Sequence, residues 1–187
     1  MQKGENFRQI NAYAMRNGIV LGLFGVATLA VFKWSLSIPF MSGLFMLMLF
    51  AHPVLVIILT MRFRNETIGD FDFVKGFLHT LFVGFYASVW VSVAVFVYLQ
   101  YFDYGTIFAA YGRSIDTPET QQYLVQSGLN AQLSELSGRS GVQGLVDSLQ
   151  SIGAATYAAM PLYLSVILDP FFSIIIGLIC RRKVVRK

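Results

Sequence analysis

Four stretches of the chain are apolar almost without interruption, at about 18–36, 43–61, 74–102 and 154–180. A helix needs about 20 apolar residues to cross a hydrocarbon layer, so each stretch reads as a span. The third and fourth exceed that length and are expected to tilt, kink or protrude. Between 103 and 153 the pattern changes. Asp116-Thr117-Pro118-Glu119 is a helix start, with a cap at Asp116, an early proline and an acid three residues on. Val125, Leu129, Leu133 and Leu136 then form one apolar stripe. Val142, Leu145, Val146, Leu149 and Ile152 form a second, separated from the first by Gly138 and Gly141 and stopped by Gly153. Helices this short cannot bury a face alone. They are expected on the outer end of the bundle or in the headgroup layer, or as a docking surface over 116–152. Ahead of the first span, Phe7, Ile10, Tyr13 and Ala14 share a face opposite Arg8 and Asn11, which predicts a short interfacial helix. The predicted fold is all-α. It is an integral membrane four-helix bundle, one membrane domain over 1–187, with an N-terminal interfacial helix and amphipathic helices in the outer loop.

Composition agrees with this picture and excludes the alternatives. Of 187 residues, 56% are hydrophobic and 13% charged, against about 25% charged in a soluble domain. The mean hydropathy is +0.62. A soluble globule and a disordered chain are both ruled out. The single cysteine, Cys180, excludes an intramolecular disulfide and a cysteine metal cluster.

The net charge of +4 is distributed by side. Lys3, Arg8, Arg16, Arg62, Arg64, Lys75, Arg181, Arg182, Lys183, Arg186 and Lys187 all fall on the side of the termini. Lys33, Arg113 and Arg139 fall on the other, among Asp103, Asp116, Glu119, Glu135 and Asp147. By the positive-inside rule both termini are cytoplasmic. The first span reads as an uncleaved signal-anchor, because no small-x-small site follows it. Trp34, Phe40, Tyr98, Tyr101, Phe102, Tyr104 and Tyr157 mark the outer interface, and Phe63, Phe71, Phe73 and Phe77 the inner one. Phe71 and Phe73 are expected to dip into that interface, and Asp70 or Asp72 to cap the third span. No basic patch interleaved with aromatics speaks for nucleic acid. The inner bases suit anionic lipid headgroups.

Lipid does not drive apolar helices together, so rows of small residues mark packing faces. The first span carries Gly18 and Gly22. The third carries Gly76, Thr80, Gly84, Ser88 and Ser92, and the fourth Pro161, Ser165, Asp169, Ser173 and Gly177. The third and fourth spans are expected to pack along their rows; a homodimer seam is the alternative.

The polar residues at depth point to chemistry. His52 and Asp169 each lie near the midplane and each precedes a proline, which frees a carbonyl and bends the axis. An ionised aspartate there costs several kcal/mol unless paired or hydrated. The expectation is that His52 and Asp169 satisfy each other, helped by Ser165, Ser173 or Tyr86. Such a pair is either structural or a proton relay. His79 is placed near the inner end of the third span, within reach of the interface.

The segment from Arg62-Phe63-Arg64-Asn65-Glu66-Thr67-Ile68-Gly69-Asp70-Phe71 through Gly84-Phe85-Tyr86-Ala87-Ser88, with the basic tail from Arg181, resembles a bacterial four-span family, domain of unknown function family 4199. The resemblance implies an inner-membrane protein and carries over no catalytic residue.

No nucleophile motif, phosphate loop or zinc signature is present, so an enzyme, a cofactor and a metal site are not expected. Two readings remain: a scaffold or accessory subunit with a membrane or periplasmic partner or a second copy of itself, and a small proton- or ion-coupled transporter.

Overall fold

The computed structural model describes residues 2–67, 70–103 and 105–182. The side chain of Lys3, the loop residues Ile68 and Gly69, the belt residue Tyr104, and Lys183, Arg186 and Lys187 of the tail lie outside the described residues. The helices run α1 (Gln2–Ser35), α2 (Pro39–Glu66), α3 (Phe73–Tyr101), α4 (Thr106–Ile115), α5 (Pro118–Gln126), α6 (Leu129–Ser137), α7 (Gly141–Ser151) and α8 (Ala154–Cys180). Of these, α1, α2, α3 and α8 are long and apolar enough to cross a membrane. The 28 residues of α2 measure about 42 Å at 1.5 Å each, more than the ~30 Å of hydrocarbon. Its ends therefore tilt or protrude. Pro53, Pro161 and Pro170 sit inside helices without ending them. Membrane helices tolerate this where neighbouring groups take up the freed carbonyls.

α3 is the centre of the bundle. It packs along α8 on one side and α1 on the other, while α2 lies mainly on α1. The interfacial helix expected before Gly18 is the first turns of α1, not a separate element. Its Ile10 and Ala14 are buried in the bundle, which leaves less for the headgroup layer.

The end of the bundle holding the α2–α3 connection is closed by Ile10, Phe63, Phe71, Ile176 and Cys180. Phe71 does not dip into the interface. It is fully buried and meets Phe63 edge-on at 5.5 Å. Its N–H donates to the carbonyl of Arg182 at 3.0 Å and its carbonyl accepts from the Arg182 N–H at 2.8 Å. The Arg182 guanidinium donates to the Thr67 carbonyl at 3.0 Å. Asp72 caps α3 by accepting the Lys75 N–H at 2.9 Å.

At the opposite end, 106–151 folds into a cap of four short helices rather than two. Its base is Asp103, which accepts from the Tyr98 hydroxyl at 2.8 Å, the Thr106 hydroxyl at 2.9 Å and the Ile107 N–H at 3.1 Å. Gly128 and Gly138 take φ values of 73° and 74° and break the chain at both places. A helical count carried across Gly128 is therefore invalid, and the first predicted stripe fails. Leu124 and Leu133 are buried with Val142 and Val146, whereas Val125 is 64% and Leu136 78% exposed. The cap of α5 is Thr117, one residue after the expected Asp116; it accepts the Thr120 N–H at 3.2 Å.

Candidate functional site

The small-residue rows of α3 and α8 face each other. A Cβ added at Gly76 would lie 3.0 Å from the Gly177 Cα, and one at Gly84 would lie 2.8 Å from Asp169 Oδ1. Both contacts fit one antiparallel register. That register sets Thr80 opposite Ser173, Ser88 opposite Ser165 and Ser92 opposite Pro161. The rows are thus occupied inside one chain. On α1, a Cβ at Gly18 would press on the Val83 carbonyl at 3.3 Å and one at Gly22 on Trp90 Cβ at 2.7 Å. Those glycines bring α1 onto α3.

Asp169 lies in the α3/α8 seam. Ser165, one turn before it, donates to its Oδ2, and the missing side chain of Gly84 makes room for the carboxyl. Ser173, one turn on, is fully buried. Its Oγ has no protein hydrogen-bond partner, and the same holds for the buried Oγ of Ser92. Ser88 bonds to the Phe85 carbonyl of its own helix at 2.8 Å.

His52 does not join Asp169. Its Nδ1 bonds the Met48 carbonyl of its own helix at 3.1 Å, and its ring packs on Phe24 of α1 at 4.8 Å. Its Nε2 would lie 3.7 Å from a Cβ at Gly25. Tyr86 is also elsewhere: it donates to the Asn11 side chain at 2.7 Å. The two midplane residues face different helices, which removes the expected pair.

The main polar cluster of the interior is instead built around His79. The imidazole is fully buried and does not reach the interface. Asn17 Nδ2 donates to its Nε2 at 3.0 Å, which leaves the ring proton on Nδ1 for the Thr60 hydroxyl at 3.1 Å. Thr60 bonds Thr80 at 3.3 Å, and Phe63 stacks on the ring at 4.6 Å. Asn17 comes from α1, Thr60 and Phe63 from α2, His79 and Thr80 from α3. The cluster ties three helices together with each imidazole nitrogen satisfied. Sequence reading passed over Asn17 and Thr60. Their common depth was nevertheless visible, because Asn17 follows Arg16, Thr60 precedes Arg62 by two residues and His79 follows Lys75 by four. Among the described residues no three His, Cys, Asp or Glu side chains converge as metal ligands.

Four long apolar helices packed through glycine contacts, with their polar groups turned toward one another, define a multi-pass all-α membrane protein. Residues 16–182 match the family described as protein of unknown function (DUF4199). The match covers most of the chain, and the protein belongs to that family. No curated protein and no solved structure matches it.

Proposed function

We propose that the protein is a non-enzymatic membrane scaffold or accessory subunit. In this reading it lies in the bacterial inner membrane with both termini cytoplasmic and presents the cap to a membrane or periplasmic protein. Charge supports the orientation: Arg62, Arg64, Lys75, Arg181 and Arg182 lie at one end, while the cap mixes Arg113 and Arg139 with four acids. The observation that carries the reading is the cap itself. It encloses its own core of Leu124, Leu133, Val142 and Val146, yet leaves Tyr123, Val125 and Leu136 exposed. Beside that core is a cavity of about 420 Å³ lined by Arg113, Asp116, Gln121, Asn130 and Gln143 among others. Exposed apolar side chains on a folded cap that also carries a polar cavity are the mixture protein contacts use.

The test is a photo-crosslinking residue placed at 125 or 136 in intact cells. The expected result is one discrete protein adduct at both positions and none at the exposed polar position 119. Adducts at all three, or at none, count against the reading.

A second reading, a small proton- or ion-coupled transporter, is favoured by one observation: Asp169 sits inside a span, held by Ser165 against Gly84. His52 has no part in it.

A further inference from the structure

The α3/α8 seam has a property that scaffolding does not require. Packing along small residues needs no hydroxyl left over, because alanine or glycine packs as closely. Here the seam carries Ser92, Ser88, Thr80, Ser165, Asp169 and Ser173 in one register. Two of these hydroxyls, Ser173 and Ser92, are more than nine-tenths buried and have no protein partner. They flank Asp169: Ser173 lies one turn toward the end that holds His79, and Ser92 lies two turns from Gly84 toward the cap. Buried polar groups of native proteins are satisfied almost without exception, by protein or by ordered water.

We propose that the α3/α8 seam holds a file of internal water through which the Asp169 carboxyl exchanges its proton with bulk solvent. The spacing fits. Residues four apart on a helix are separated by about 6 Å along the axis, and one water making two hydrogen bonds of about 2.8 Å spans nearly that distance. A water on Ser173 therefore reaches Asp169 one turn away, at the level where Thr80 stands opposite Ser173. Thr80 is already bonded to Thr60, and Thr60 to His79. On that side the line of hydroxyls ends at the buried imidazole, so the proposed way to bulk solvent is the other one, past Ser92 toward the cap. The proton moves along hydrogen bonds only, leaving Asp169 for a water and returning from one, so no other reactant is consumed. Gly84 faces Asp169 from α3, and no salt bridge among the described residues reaches the carboxyl. The other ionisable group nearby, His79, faces α1 and α2. This inference is independent of the cap's role.

Infrared difference spectroscopy of the full chain in lipid tests it. Wild type minus Asp169→Asn isolates the carboxylic acid C=O band of Asp169; Asp169→Glu, which moves the band, identifies it if the asparagine variant does not fold. The expected result is a band that shifts within minutes of transfer to D2O. Ser92→Ala should slow that shift about tenfold, the equivalent of one lost hydrogen-bonded step. Its melting temperature should not fall, since the hydroxyl removed has no protein partner. A dry structural seam gives the opposite: the band shifts only as the protein unfolds, and residue 92 makes no difference. Either of those results, or no carboxylic acid band, overturns the proposal.

Discussion

Replacing His79 by leucine removes the centre of the cluster that joins α1, α2 and α3. The leucine fills the site but leaves the Asn17 amide, which is buried, without its acceptor. An orphaned buried donor costs about 1–3 kcal/mol. Thr60 loses one bond but keeps Thr80 at 3.3 Å, so its share is nearer the ~0.6 kcal/mol average of interhelical hydrogen bonds in membranes. Loss of the Phe63 stack at 4.6 Å adds about 0.5–1 kcal/mol. The expected total is about 2–5 kcal/mol, read from reversible unfolding in mixed micelles by circular dichroism. A double-mutant cycle isolates the bond. With Asn17→Leu as the second change, no donor is left unpaired, and the double variant should be more stable than the two single effects predict by about 1 kcal/mol. His52→Leu is the control. Its bond runs to its own helix at Met48, and its effect should stay within about 1 kcal/mol. A coupling between residues 17 and 79 indistinguishable from zero, or a His52 effect equal to that of His79, would refute the geometry.

Two further outcomes follow from the packing and the cap. Gly177→Leu places its first carbon 3.0 Å from the Phe77 backbone nitrogen and 3.2 Å from the Phe73 ring. It should wedge α8 from α3 and cost about 1–3 kcal/mol by overpacking; a melting temperature equal to wild type would contradict the close approach. Glu119 is exposed, and its pKa lies below the usual glutamate value, through its own backbone N–H first and the Thr117 hydroxyl second. That contribution to α5 is present above the unfolded pKa and is lost as pH falls through the lowered folded one. Side-chain NMR should find Glu119 titrating below the normal range, and Thr117→Val should move it back up. A midpoint already at the normal value shows that the contact is absent.

The spans were legible because lipid imposes one requirement over their whole length. The fourth ran from 154 to 180 in hydropathy and α8 runs over the same residues. The second began four residues earlier than its apolar run, at Pro39, where proline's fixed φ suits the first helical turn. The Asp169–Ser165 contact is local, one helical turn, and such pairs can be read from spacing. The His79 cluster draws on three helices. Which helix faces which is decided by packing, and hydropathy is nearly the same all round a span. That is why His52 and His79 exchanged importance: depth could be counted along the chain, but direction could not. The cap failed for another reason. Gly128, Gly138 and Gly141 at positive φ reset the helical phase, and of these the sequence pattern marks Gly138 and Gly141 as breaks but not Gly128.

The antiparallel pair of short hydrogen bonds between Phe71 and Arg182 joins residues that are made far apart in time. Of the four spans α8 leaves the ribosome after the others, and the whole of 106–151 must reach the far side of the membrane before it can insert. Until then α3 stands in the bilayer with Thr80, Gly84, Ser88 and Ser92 facing lipid. The bridge can close only once α8 has arrived along α3. Until α8 is in place the small polar row of α3 has no cover from its own chain, so the order of synthesis leaves that row, and the Phe71 backbone with it, waiting for the later helix.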